Sequence, residues 1–134
     1  MRSGGINWLA VVVAAVAIYA IGFLIYGLLI PAETWMAWEG VSEADMAAGE
    51  SRMMFSPIMP LMTAIFLAVL FKWGQVASVG TGIRWAAVVA LASAVPTELY
   101  AWVFGTGRIE VTAVDAVHLF LGHTAAGAIL GGWK

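Results

Sequence analysis

The sequence contains no cysteine, and only 10% of its 134 residues are charged, whereas soluble domains typically carry about 25% charged residues. Without cysteine, the chain can hold no disulfide framework, thiolate nucleophile or iron–sulfur cluster. So small a fraction of charged residues is not typical of a chain whose surface faces water. The sequence also has no run of basic residues that would indicate nucleic acid as a partner. Because 63% of the residues are apolar, we expect a lipid bilayer to surround most of the chain.

Long uncharged runs predict four transmembrane helices within one membrane domain of residues 1–134. A helix needs about 20 apolar residues to cross roughly 30 Å of hydrocarbon, and lipid requires the backbone to satisfy its own hydrogen bonds. Pro31 ends the first run, Ser56 is the expected N-cap of the second, and Pro96 predicts a kink in the third. The predicted fold is an all-α, four-helix membrane bundle, with spans over about 6–30, 56–73, 83–104 and 112–133.

The connection between the first two spans predicts a short interfacial helix over about 42–54. Ser42 has the character of an N-cap, with Asp45 in the first turn, and nearby methionines can lie along a lipid surface. The other two connections are short and rich in glycine. We therefore expect spans two and three, and spans three and four, to be antiparallel neighbours.

The charged residues are sorted between the two sides of this topology, and an even number of spans places both termini on one side. That side carries four basic residues and no acid: Arg2, Lys72, Arg84 and Lys134. Lys and Arg are enriched on the cytoplasmic side, so both termini are predicted to be cytoplasmic, in a bacterial inner membrane. All seven tryptophans fall near predicted span ends, as expected of interface anchors: Trp8, Trp35, Trp38, Trp73, Trp85, Trp102 and Trp133.

Two stretches of the chain resemble a known family. The first contains Gly22-Phe-Leu-Ile-Tyr26-Gly27, then Trp35-Met36 and Gly40-Val-Ser-Glu-Ala-Asp45-Met46; the second is the final span, which ends in Gly127-Ala-Ile-Leu-Gly131-Gly-Trp133. With these features the sequence is similar to the short bacterial membrane proteins called domain of unknown function 1761. The resemblance implies a four-helix membrane fold, and it brings no established activity or catalytic residue.

Ionisable residues at membrane depth are costly and suggest function. From the rise of about 1.5 Å per residue, Glu98 and His118 both lie about 7 Å outward of the midplane, and Asp115 shares a helix face with His118. We therefore predict a hydrogen bond or ion pair between Glu98 and His118, with Asp115 nearer the outer surface. A structural link between helices is the favoured interpretation, and a proton or ligand site is the alternative.

His123 lies near the middle of the fourth span. It follows His118 by five residues and faces about 140° away, so the two imidazoles do not form a metal site, and no metal site is predicted. A hydrogen bond to a neighbouring helix is the favoured interpretation of His123. Axial ligation of haem or a chlorophyll-type pigment is the alternative, although nothing in the sequence requires a cofactor.

Small residues predict close helix packing in the first and fourth spans. The spacing Gly127-x-x-x-Gly131 lets another helix approach closely, and the sequence leaves open whether that helix is internal or belongs to another subunit. The predicted packing residues are Gly22, Gly27, Gly122, Ala126, Gly127 and Gly131.

No nucleophile stands beside a base at a recognisable spacing, so we expect no enzyme and assign no catalytic residue. The favoured function is an accessory or structural subunit that packs against a larger membrane complex of respiratory or photosynthetic type. The alternative is a small oligomeric transporter or channel, with Glu98 and His118 as a proton- or cation-responsive site. The expected partners are the lipid bilayer and other membrane subunits or further copies of the chain.

Overall fold

The structure is a computed structural model that describes residues 2–133. Apart from a short antiparallel hairpin formed by Arg2–Ser3 and Ile6–Asn7, the regular structure in this range is helical. The helices are α1 (Trp8–Leu29), α2 (Ala32–Glu39), α3 (Glu43–Met53), α4 (Ile58–Trp73), α5 (Val79–Phe104) and α6 (Ile109–Gly132). The predicted all-α class is confirmed, and the connection between the first two predicted spans contains a helix, α2, that the sequence does not predict.

Three of the described helices, α1, α5 and α6, are long and apolar enough to cross a membrane. The shorter α4 has 16 residues and passes the same test only together with α3, from which it is bent by 47°. We call the bundle end with Trp8, Trp73, Val79 and Gly132 the inner end, and the end with Leu29, Ile58, Phe104 and Ile109 the outer end.

Side-chain caps set several helix starts. Asn7 accepts the backbone N–H of Ala10 at the start of α1, and Ser78 accepts that of Thr81, so that α5 begins earlier than predicted. The predicted capping of α3 is present, because the side chains of Ser42 and Asp45 each accept the other residue's backbone N–H.

The prediction that Ser56 caps α4 is wrong. The helix begins two residues later, at Ile58, and its start has no side-chain cap. The hydroxyl of Ser56 instead lies 3.2 Å from that of Tyr19 on α1. A tertiary partner has therefore replaced the local one.

Two segments are wound as π-helix, Phe23–Leu29 within α1 and Ala90–Ala94 within α5. Pro96 follows the second segment. Proline has no N–H and its ring crowds the carbonyl four residues earlier, so a wider preceding turn accommodates it without ending the helix. A π turn thus stands where the sequence predicted a proline kink.

The inner half of the bundle holds the hydrophobic core. On α1, Val11 and Ala14 are at most 1% exposed, and on α4, Ala64 is fully buried. These residues pack with Leu67 and Phe71 in one cluster. Small and branched side chains on both helices thus bring α1 and α4 into close contact.

The helix neighbours differ partly from those predicted. α5 packs along α6, and α6 also packs against α1, which in turn packs against α4. The expectation that spans two and three are packed neighbours is wrong: the short connection after Trp73 joins α4 to α5, but α4 packs mainly on α1 and α5 packs mainly on α6. The close approach of α5 to α6 explains this, since Gly82, Gly127 and Gly131 meet backbone to backbone.

Candidate functional site

A cavity of about 660 Å³ lies between the outer halves of α1, α4 and α6. It contrasts with the packed inner half, and it falls within the volume range of small-molecule pockets. The three ionisable residues predicted at membrane depth, Glu98, His118 and His123, all line it, and so does Asp115, which is predicted nearer the outer surface.

Tyr26 is the centre of the hydrogen bonding in the cavity. Its hydroxyl donates to Asp115 Oδ1 over 2.5 Å and lies 3.4 Å from His118 Nδ1. The phenol ring also meets the rings of His118 and Trp35 edge-on, with centroids 5.3 and 5.0 Å apart. A tyrosine from α1 therefore joins the two residues that the sequence placed on one face of α6.

The predicted bond between Glu98 and His118 is not formed. Within residues 2–133, neither a hydrogen bond nor a salt bridge joins these side chains, although both line the cavity. The prediction used depth alone, which fixes a level in the bundle but not the direction in which a side chain points. The π segment Ala90–Ala94 changes that direction for every later residue of α5, including Glu98.

The environment of His118 explains the position of Gly22. A Cβ atom at Gly22 would lie 3.0 Å from His118 Nε2, so the absence of a side chain leaves room for the imidazole. Nε2 is buried and makes no hydrogen bond among the described residues. Gly22, predicted as a helix-packing residue, thus shapes the polar site.

His123 is 8% exposed and bonds within its own helix. Its Nδ1 lies 2.6 Å from the carbonyl oxygen of Leu119, one turn earlier. The favoured interpretation, a hydrogen bond to a neighbouring helix, is therefore wrong, because the preceding carbonyl is within reach. Ligation of haem or a pigment by His123 stays a hypothesis.

We call the side of the cavity with Phe23 of α1 and Met59 of α4 its mouth, because these residues line the cavity and are also 60% and 65% exposed. Met53, at the end of α3, and the Tyr19–Ser56 hydroxyl pair border it as well. The opening is thus flanked by apolar side chains.

Apart from Gly27, the other predicted packing residues lie at contacts between helices. A Cβ at Gly122 would lie 3.2 Å from Ile18 of α1, and one at Gly127 would lie 2.5 Å from the Gly82 carbonyl oxygen of α5. Ala126 is fully buried. At Gly27 the near group is the ring of Phe23, one turn earlier in α1. The partner of the Gly127-x-x-x-Gly131 pair is therefore α5 of the same chain.

The tryptophans lie at both ends of the bundle. Trp8 begins α1 and Trp73 ends α4, both at the inner end. Trp85, near the start of α5, lies over Gly74, where a Cβ would be 3.0 Å from the indole. The remaining four lie in α2, in the last turn of α5 and just after α6: Trp35, Trp38, Trp102 and Trp133.

Within residues 2–133, no group of three or more His, Asp or Glu side chains has the geometry to hold a metal ion. The site is therefore a cavity with dispersed polar groups. Hydrogen bonding and charge are the chemistry that these groups supply.

Sequence reasoning missed Tyr26 because it considered only ionisable residues at membrane depth. One signal was present, since Gly22 and Tyr26 are spaced i and i+4 and share a helix face. A small residue one turn before an aromatic one marks a place where another side chain can enter. In the structure, that side chain is His118.

This fold and site define the class of the protein: a small helical chain with helices long enough to cross a membrane and a polar cavity between them. Comparison with protein families matches residues 9–131 to the family described as "Protein of unknown function (DUF1761)". The chain therefore belongs to this family, as its sequence features predicted. No curated protein and no solved structure gives a significant match.

Proposed function

We propose that the chain crosses a bacterial inner membrane four times, with α4 as the second span in addition to α1, α5 and α6, and with α3 on the outer surface. Sixteen residues give α4 a length of about 24 Å. Because α4 packs along α1, an α4 outside the membrane would place that side of α1 in water. The basic residues Lys72 and Arg84 lie at the inner end, which supports a cytoplasmic location for that end.

The absence of native cysteine makes this topology testable by single-cysteine labelling. Ala48→Cys in α3 and Gly107→Cys before α6 should react with a membrane-impermeant thiol reagent on intact cells. Ala77→Cys, exposed between α4 and α5, should react only after the cells are opened. Labelling of position 77 from outside, or of 48 and 107 on opposite sides, would contradict the four-span topology.

For the function itself, we propose that the protein binds a small molecule in the cavity between α1, α4 and α6. The observation that carries this proposal is the 660 Å³ volume lined by Glu98, Asp115, His118 and His123, because a merely structural role needs no such space between polar groups. Buried polar groups in membranes normally pair with one another.

The packed inner half favours binding over a channel within one copy of the chain. Val11, Ala14, Ala86 and Ala126 are all at most 1% exposed and lie between the cavity and the inner end. Among the described residues, the core cluster consists of apolar side chains. A transport function would therefore require the helices to move.

Native mass spectrometry of the protein in mild detergent tests binding. Thr63→Phe fills the cavity, and since the Thr63 hydroxyl bonds only its own helix at Met59, no tertiary bond is lost. Thr97→Phe is the matched control, because Thr97 makes the same bond to Ser93 and does not line the cavity. We expect a small co-purifying mass on the wild type and on Thr97→Phe, and its loss on Thr63→Phe.

Equal occupancy in all three proteins would contradict the binding function. The second candidate is the accessory subunit, which is favoured by the exposure of α5: only 6% of its most apolar window is buried. A stoichiometric protein partner in the same purification, retained by Thr63→Phe, would support that role instead.

A further inference from the structure

The chemistry of the cavity defines a class of ligand, an inference that rests on the proposed binding function. We propose that the ligand is an amphiphilic amine, whose ammonium N–H groups bind acceptor atoms around Tyr26 and His123 while its hydrocarbon part lies against the apolar wall and points to the mouth.

The single hydroxyl proton of Tyr26 fixes which atoms around it accept hydrogen bonds. A phenol carries one proton, and Tyr26 donates it to Asp115. Toward His118 the phenol oxygen can therefore only accept, and Nδ1 of His118 carries the hydrogen. The opposite tautomer would leave two acceptors facing each other 3.4 Å apart. In the neutral ring, Nε2 of His118 is then an acceptor without a donor, but it is closed off from the cavity against Gly22. The acceptor beside Tyr26 that lines the cavity is therefore the Asp115 carboxylate.

His123 supplies a second such acceptor and stands on firmer geometry. The Leu119 carbonyl can only accept, so Nδ1 of His123 donates to it over 2.6 Å. In the neutral ring the lone pair is then on Nε2, on the opposite edge of the imidazole. The side chain is more than nine-tenths buried and lines the cavity, and Nε2 has no hydrogen-bond partner within residues 2–133. An N–H donor from a ligand would satisfy it.

The acidic residues that line the cavity also favour an amine as the ligand. Glu98 and Asp115 both line the cavity. Among the described lining residues there is no Lys or Arg. An ammonium group would therefore be attracted, and a carboxylate or phosphate would be repelled, in a site where low polarity strengthens charge interactions.

The walls require that the ligand also be apolar. Ile18, Phe23, Met59 and Leu119 line the cavity, and the mouth between α1 and α4 is flanked by exposed hydrophobic side chains. A hydrophilic amine would leave this surface uncovered. A hydrocarbon chain would cover it and could extend toward lipid.

Four ligands that share an eight-carbon chain and differ in their polar group test the assignment. Their binding is measured to the protein in nanodiscs, with empty nanodiscs as the reference. We expect octylamine to bind, and octyltrimethylammonium, which has the charge but no N–H, to bind about tenfold more weakly or worse. Octanol should bind weakly and octanoate should not bind. Equal affinity for the quaternary ammonium, or preference for octanoate, would overturn the assignment.

Matched variants locate the site. Glu98→Gln removes a charge without breaking a hydrogen bond of the structure and should weaken octylamine binding about tenfold or more. Glu50→Gln, an exposed acid of α3 outside the cavity, should leave it unchanged. Thr63→Phe should abolish binding and Thr97→Phe should retain it. An unchanged affinity in Glu98→Gln or Thr63→Phe contradicts the proposal.

The outcomes separate the ligand class from the function. Binding of octanol or octanoate that Thr63→Phe abolishes, without binding of octylamine, would reject the amine and keep the cavity as a binding site. Binding of none of the four ligands also rejects the amine, and the co-purifying mass described above then decides the binding function by itself.

Discussion

The inner and outer halves of this bundle are built from different side chains. In the inner half, alanine and glycine bring α1 against α4 and α5 against α6, and residues such as Ala64 and Ala86 are fully buried. In the outer half, residues of α1, α4, α5 and α6 line an open cavity that includes Glu98, Asp115 and two imidazoles. One half is therefore built for packing, and the other leaves polar groups without full hydrogen bonding.

The backbone conformation also differs between the two halves. The π segments Phe23–Leu29 and Ala90–Ala94 interrupt α-helix beside the cavity or just before it: Phe23, Tyr26 and Gly27 line the cavity, and Glu98 follows the second segment. Such segments are frequent at functional sites. The difference teaches that close packing of the inner half allows the outer half to remain open.

The largest effect is expected at the contact between α5 and α6. A Cβ at Gly82 would overlap the carbonyl oxygen of Gly127, and the backbone cannot move aside without separating the helices. Gly82→Ala should therefore destabilise the protein by about 3 kcal/mol, measured by thermal or SDS-induced unfolding in mild detergent.

Gly80→Ala is the control in the same helix. A Cβ there meets no atom within 4 Å, so the substitution should stabilise the protein by about 0.5–1 kcal/mol through helix propensity. If the two substitutions behave alike, the close approach of α5 and α6 is incorrect.

A smaller effect is expected in the outer half from Tyr26→Phe. The substitution keeps the ring contacts with Trp35 and His118 but removes the hydroxyl that bonds Asp115. Asp115 and His118 then lose this partner, which should lower the free energy of unfolding by about 1–3 kcal/mol in the same assay. Tyr100→Phe, at an exposed ring stacked on Phe104, should change nothing, and an equal loss in both variants would remove Tyr26 from the centre of the site.

The smallest effect is expected outside the bundle, at the start of α3. The Ser42 hydroxyl and backbone N–H donate to Asp45 over 2.6 and 2.8 Å and lower the pKa of this carboxyl below its ordinary value of 3.8. The stabilisation is thus fully present above that value and is lost as the pH falls through the lowered pKa. Ser42→Ala should raise hydrogen exchange of residues 43–46 at neutral pH and leave α4 unchanged.

An equal rise along α4 would show that α3 and α4 unfold together. In that case the turn between them, and not the capping box, holds α3 in place.

The sequence predicted most of the helices because long apolar runs, capping residues and glycine-rich connections are local signals. Ser42 and Asp45 predicted the start of α3 in this way, and the helix ends agree within a few residues for α1 and α4. The grouping of Glu98, Asp115 and His118 also followed from depth along helices of regular rise.

The arrangement within the site could not be predicted because it depends on rotation and on tertiary partners. The π segment before Glu98 alters its direction, Ser56 bonds Tyr19 in place of capping α4, and His123 bonds the carbonyl of Leu119. Composition did not indicate a π turn, and the uncharged Tyr26 gave no signal among ionisable residues.

The most direct test of the account is the ¹⁵N NMR spectrum of the protein with labelled histidine. The chain has only two histidines, so His118→Gln and His123→Gln assign both rings. We predict at neutral pH that both imidazoles carry their hydrogen on Nδ1, and that octylamine shifts the Nε2 resonance of His123 but octanoate does not. A hydrogen on Nε2 of His123, or a resonance indifferent to the amine, would contradict an outer cavity of unpartnered acceptors.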